Sequence, residues 1–271
     1  MTALDSARAA KGRTALLAAG ALVFNALVWG VSWWPFRQLQ GYGLHPLWAT
    51  ALMYLMIATG LLVLHFKAWR GFVACPQLWF LAIASGLTNI GFNWAVTVGD
   101  VVRVVLLFYL MPAWSVLVAW VLLGEKPTPL SLGRLLLAMT GVLIVLKTPE
   151  VSWPVPQGSA DWLAIAGGFS FAVTNALLRK YGHTPPASRM LAMFGGSGLM
   201  AGLAALLGMS LQVVPAPALQ TAGLPVFLGL SLAFMISNTA LQYGAARLAA
   251  ATTAIVMLTE ILFASLSAAL L

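Results

Sequence analysis

Glu260 is a carboxylate set inside an apolar run, between Val256-Met257-Leu258 and Ile261-Leu262-Phe263. A carboxyl in such surroundings can carry a proton or hold a cationic group, and an ionisable residue at the centre of a bilayer costs at least about 2.5–3.5 kcal/mol. The competing reading is a protonated or capped residue near the outer end of its helix. Asn89 and Asn93 are four residues apart and so share one helical face, and Asn238 and Gln242 repeat the spacing. Buried amides must find partners. They either bond neighbouring helices together or line a polar cavity. Trp29, Ser32, Tyr109, Phe171 and Asn175 add rings, a hydroxyl and an amide, a set that suits an amphipathic, partly aromatic solute; core packing is the alternative. Trp33 and Trp34, near the outer end of their run, read as members of an interfacial aromatic belt. Pro112 removes a backbone hydrogen bond within its run and reads as a packing kink or as a flexing point for gating.

Catalysis is poorly served by these residues. His45, His65 and His183 sit at segment ends with no metal-ligand spacing, and Glu260 has no acidic mate. The stretch Gly195-Gly196-Ser197-Gly198 follows no strand and lies within an apolar run, so it is no phosphate loop. No metal, no cofactor and no enzymatic activity are expected. An intramembrane enzyme is the least favoured alternative.

The elements that hold these residues follow from composition. Of 271 residues, 61% are apolar and 7% charged, against about 25% charged in a soluble domain. The mean hydropathy is +0.95. The chain is expected to be an all-α integral membrane protein. Crossing a bilayer takes roughly 20 apolar residues as helix, and nine runs qualify: 14–36, 44–66, 76–98, 101–123, 130–147, 160–178, 188–209, 222–243 and 247–271. They are long and continuously apolar, unlike the short alternating strands of a membrane β-barrel. The single Cys75 excludes an internal disulfide. Residues 1–14 are short and basic, and the run after them is too long for a signal-peptide core.

The net charge of +8 reports topology, not nucleic-acid binding, because the charges lie between apolar runs. With the N-terminus in the cytoplasm, the inner side holds Arg8, Lys11, Arg13, Lys67, Arg70, Lys126, Arg134, Arg179, Lys180, Arg189 and Arg247. The outer side holds only Arg37, Arg103 and Lys147. The positive-inside rule selects this orientation, and a bacterial inner membrane is the expected location.

Residues 148–160 form the longest polar connection and divide the chain into a first repeat (1–147, five spans), a linker and a second repeat (161–271, four spans). An odd number of helices per repeat inverts the second against the first, as in many secondary transporters. The halves also match in sequence. Thr88-Asn89-x-x-x-Asn93-Trp94 corresponds to Ser237-Asn238-x-x-x-Gln242-Tyr243, and Trp29-Gly30-x-Ser32 to Phe171-Ala172-x-Thr174.

Met111-Pro112-Ala113-Trp114, followed by Leu122-Leu123-Gly124-Glu125, resembles the signature closing the fourth span in EamA-type members of the drug/metabolite transporter superfamily. Within it the chain is most similar to YddG-type aromatic amino acid exporters. The resemblance implies ten helices in an inverted five-plus-five repeat, a central cavity between the halves, and export of amino acids or related metabolites. The tenth helix has no counterpart here and reads as missing, the alternative being a nine-helix form with its C-terminus outside. No Lys or Arg lies mid-span, so phosphate-bearing cargo is not expected. The partners expected are a small-molecule substrate and the lipid bilayer, with no nucleic acid. A cationic drug exporter using Glu260 is the alternative.

With the N-terminus inside, single cysteines placed near Lys67, Lys126 or Lys180 should resist an impermeant thiol reagent applied to intact cells. Efficient labelling there would overturn the orientation.

Overall fold

Apolar runs become helices here because backbone polar groups inside a bilayer must bond within their own segment, and prolines at the first turn start several of them. The structure, a computed structural model, describes residues 3–146, 156, 158–218 and 220–270. The helices are α1 (Ala3–Gly41), α2 (Pro46–Leu64), α3 (Lys67–Ala74), α4 (Leu78–Val98), α5 (Val101–Phe108), α6 (Met111–Leu123) and α7 (Pro129–Leu146). After the linker come α8 (Ser159–Lys180), α9 (Pro186–Ser210), α10 (Leu224–Ala245), α11 (Ala250–Met257) and α12 (Thr259–Leu270). Among the described residues there is no strand. Most of the linker expected over 148–160 lies outside them.

Eight segments are long and apolar enough to cross a membrane, with α5–α6 and α11–α12 each counting as one. The chain is thus an all-helical integral membrane protein. Nine runs were expected. The remaining one, 130–147, coincides with α7, an 18-residue helix of about 27 Å that ends at the limit of the described residues. A short helix, α3, was not expected. It buries Ala68 and Phe72, exposes Lys67 and Arg70, and reads as an interfacial element.

The most extensive helix contacts all join an element before the linker to one after it: α4 with α8 and α9, α2 with α9, and α1 with α10. Glycines make the closest of these possible. A Cβ on Gly91 of α4 would stand 2.9 Å from the Gly167 Cα of α8, and one on Gly196 of α9 would strike the Ala82 backbone. Gly198 and Gly202 of α9 likewise face α2, at Leu55 and Ala51.

Two ion pairs tie α8 to the fourth span at opposite ends. Arg103 of α5 grips Asp161 with both Nε and Nη2, the latter at 2.9 Å. At the other end Arg179 Nε meets Glu125 Oε1 at 2.6 Å. The Leu-Leu-Gly-Glu sequence builds this second contact. Gly124, at φ +69°, ends α6 in the left-handed conformation, and Glu125 N–H bonds back to the Ala119 carbonyl. The turn delivers the Glu125 carboxylate to α8.

The fourth and ninth spans are both broken midway. Leu110 N–H bonds to the Leu107 carbonyl, and Ala113 N–H to Leu110; Leu258 N–H bonds to Ile255, and Ile261 N–H to Leu258. These are the tighter three-residue bonds of a 3₁₀ turn. Pro112 has no N–H for the Phe108 carbonyl four residues back, and that carbonyl rests against Gly168 of α8. Similarly, the Glu260 carbonyl lies against Gly30 of α1, where a Cβ would stand 2.8 Å away.

Gly168→Ala should cost about 1–3 kcal/mol, because its Cβ meets backbone that cannot yield. Gly229→Ala, with nothing within 4 Å of its Cβ, should be neutral or stabilising by up to about 1 kcal/mol. Thermal melting in detergent checks both, and equal melting of the two variants would remove the close-contact account.

Candidate functional site

Tyr109 and Glu260 sit at the two helix breaks, and the breaks face each other. Tyr109 caps the C-terminus of α5, and Glu260 lies in the first turn of α12. The Tyr109 hydroxyl donates to Glu260 Oε2. Glu260 is 2% exposed, and its Oε1 has no hydrogen-bond partner among the described residues. It is near the middle of the apolar Ala250–Leu270 segment, away from both ends.

A second polar contact engages Asn89. Asn89 Oδ1 accepts from the Tyr54 hydroxyl at 2.9 Å, and its Nδ2 donates to Ser197 Oγ of α9 and to the Ser85 carbonyl. Asn238 Nδ2 donates to the Phe234 carbonyl of its own helix at 3.0 Å, and the Phe234 ring packs on that of Tyr54. Tyr54 therefore bonds Asn89 and packs against the Phe234 turn that Asn238 bonds.

Aromatic rings connect the two contacts. Tyr54 packs on Phe234 (5.8 Å), Phe234 on Trp29 (4.8 Å), Trp29 on Phe92 (5.6 Å) and Phe92 on Phe108 (4.9 Å). Phe108 then touches both Tyr109 and Phe171. The chain of rings runs through α2, α10, α1, α4, α5 and α8. At the meeting of the two broken helices the arrangement presents π-faces, a phenol and one unpartnered carboxylate oxygen, with the Asn89 amide at the far end of the chain of rings. That set can hold an ammonium group beside an apolar or aromatic body.

Of the expected residues, Tyr109 and Glu260 touch, Trp29 and Phe171 join them through Phe92 and Phe108, and Asn89 and Asn238 lie at the far end of the chain of rings near Tyr54 and Phe234; Pro112 is just beyond the α5–α6 break. Asn175 is adjacent to that break, its Nδ2 3.9 Å from Met111 Sδ and its Oδ1 unpartnered. The others are placed elsewhere. Ser32 donates to the Trp29 carbonyl of its own helix. Asn93 donates to Thr50 Oγ1 of α2 at 2.7 Å and so bonds two helices of the same half. Gln242 lines a separate cavity with Arg189. Trp33 is not a belt residue. It is buried, and its Nε1 donates to Ser267 Oγ of α12 at 3.0 Å. Trp34, by contrast, is exposed.

Three contributors went unread in the sequence. Tyr54 is a polar ring in mid-span, which was a usable signal. Asn25 ties α1 to Ser237 of α10 through Oγ at 2.6 Å and the carbonyl at 2.9 Å. Arg189 counted as an inner-loop charge but is buried.

Residues 16–147 match the EamA-like transporter family. Among solved structures, one protein known from a crystal structure shares the fold at a TM-score of 0.70 and 16% identity, covering 92% of this chain and 86% of its own. No curated protein is detectably similar in sequence.

Tyr54→Phe should destabilise the protein by about 1 kcal/mol, in the range of buried polar contacts between membrane helices, because Asn89 Oδ1 loses its donor. Denaturant titration in detergent measures this. An unchanged midpoint would mean that the Tyr54 hydroxyl holds nothing together.

Proposed function

We propose that the chain is a secondary transporter that exports aromatic or apolar amino acids and related small metabolites, by alternating access between its two halves. Its place is a bacterial inner membrane, with the N-terminus in the cytoplasm. The observation that carries the reading is the Tyr109–Glu260 contact, where two broken helices, one before the linker and one after it, meet within the apolar segments Val101–Leu123 and Ala250–Leu270. Discontinuous helices crossing at the midplane are how many secondary transporters build a substrate site. Similarity of residues 16–147 to a transporter family supports small-solute transport and speaks against an enzyme.

In this reading the ammonium group of the solute approaches Glu260 Oε1 and the side chain lies against Trp29, Phe92, Phe108 and Phe171. Asn175 Oδ1, unpartnered beside the α5–α6 break, is a further acceptor. Access alternates as α8 and the fourth span part at one end while the ion pair at the other end holds. Arg103–Asp161 closes one face and Arg179–Glu125 the other. Glu260 either binds the ammonium group or exchanges a proton for it.

The free Oε1 also favours a second reading, export of cationic drugs, in which the cargo has an amine and no carboxylate. One variant separates the two. In liposomes under an imposed proton gradient, Glu260→Gln should lower accumulation of phenylalanine by at least about tenfold, the effect of about 1.4 kcal/mol; exchange of phenylalanine persists if Glu260 carries the proton and falls as well if it binds the ammonium group. Selective loss of amine and quaternary-ammonium cargo would support the drug exporter. Unchanged transport, pH dependence and substrate range would remove Glu260 from both.

A further inference from the structure

Away from the centre, a groove of about 880 Å³ runs between α2 and α10, with Ala187 and Met190 of α9 along it. Its walls are Met56, Gly60 and Leu64 on one side and Leu232, Met235 and Ile236 on the other. All six are on the exposed surface of their helices, so the groove opens sideways to hydrocarbon. From Leu228 to Tyr243 it follows α10 for about 22 Å at the rise of a helix, enough to cross one leaflet's ~15 Å half of the core.

At the end near Tyr243 the groove joins a polar cavity of about 640 Å³. The two share Met190, Thr239 and Tyr243, and the cavity adds Arg189, Gln242 and Arg247. Arg189 is 4% exposed. Its Nη1 donates to the carbonyls of Tyr181, Gly182 and Thr184 in the turn after α8, and its Nε to Gln242 Oε1. Nη2 makes none of these bonds. The Arg247 guanidinium stacks on the Tyr243 ring at 3.8 Å and repels that of Arg189. No Asp or Glu pairs with either arginine among the described residues. Gln242, also buried, has an Nε2 without a partner.

Two cations and an unused amide donor therefore lie at helix-end depth, at the mouth of an apolar groove open to lipid. We propose that this compound site binds an anionic phospholipid from the leaflet on the Arg247 side. The phosphodiester oxygens accept from Arg189 Nη2, Arg247 and Gln242 Nε2, and one acyl chain fills the α2–α10 groove. Charge-assisted bonds to phosphate are the strong kind, and basic pockets between helices at the membrane edge recognise lipid headgroups. The groove's sideways opening favours a lipid over a dissolved anion. A bound lipid also wedges between α2 and α10, and so couples leaflet composition to the separation of the two halves.

The test is native mass spectrometry of the full chain released from nanodiscs of equal phosphatidylglycerol and phosphatidylcholine. The wild-type chain should retain one phosphatidylglycerol in preference to phosphatidylcholine. Arg247→Gln, at an exposed position, should cut that preference about fivefold, as expected for one cation near a lipid surface. Gly60→Phe, whose Cβ meets nothing within 4 Å, fills the groove and should displace lipid of either kind. Gly20→Phe, equally unobstructed and outside the groove, should not. Equal retention of both lipids by the wild-type chain, or unchanged preference in Arg247→Gln, overturns the proposal. So does displacement of phosphatidylglycerol by inorganic phosphate or phenylalanine, which would make the cavity a site for dissolved anions.

Discussion

Everything in this protein depends on how closely α4 can approach α8 and α9. Lipid tails are as apolar as leucine, so no hydrophobic effect presses membrane helices together. Association rests on van der Waals contact and interhelical hydrogen bonds, both of which need small residues at the crossing. Gly91 against Gly167 and Gly196 against Ala82 supply that proximity. Once α4 is seated, Ser85 and Asn89 reach Ser197 on α9, and Phe92 enters the chain of rings. Because these contacts join elements on either side of the linker, the two halves of the chain form one body.

The polar residues inside that body fall into two kinds. Some are fully engaged. Asn89 uses both its amide and its carbonyl, and Arg103 grips Asp161 with two nitrogens. Others are half engaged: Asn93 Oδ1, Asn175 Oδ1, Gln242 Nε2 and Glu260 Oε1 have no partner among the described residues. An unpaired polar atom buried in a membrane protein costs free energy, and a structure keeps such atoms where something else meets them. Glu260 Oε1 and Asn175 Oδ1 flank the helix breaks. Gln242 lines the cavity of the two arginines.

The sequence carried the spans well, since twenty apolar residues cannot be mistaken for a soluble element. It also carried Asn89, Tyr109, Asn238 and Glu260, because a polar group in hydrocarbon stands out. Directions were harder. In a soluble helix the polar stripe marks the outer face. Here the lipid face and the packed face are equally apolar, so α2 gives no periodic signal, and Trp33 was read as facing headgroups when it faces α12. Depth misled as well: Arg189 sits at a span end yet turns inward to carbonyls of the turn after α8. The break before Pro112 was half legible through the proline. The break at Leu258 had only Thr259, whose hydroxyl bonds back to the Val256 carbonyl. That Tyr109 and Glu260 touch was not legible at all, because they are far apart in the chain and only the crossing of two spans brings them together.

The ion pairs at the ends of α8 are unequal, and that gives the helix a polarity. Arg103 and Asp161 are 18% and 7% exposed, whereas Arg179 and Glu125 are 33% and 32%. Mobile ions screen partly solvated charges far more than enclosed ones, with a Debye length near 8 Å at physiological ionic strength. The Asp161 end is therefore the stiff anchor, held by geometry that dissolved salt barely reaches. The Arg179 end is a latch whose strength follows the ionic strength of the compartment it faces. The two ends of α8 are thus held unequally, and dissolved salt weakens one of them far more than the other.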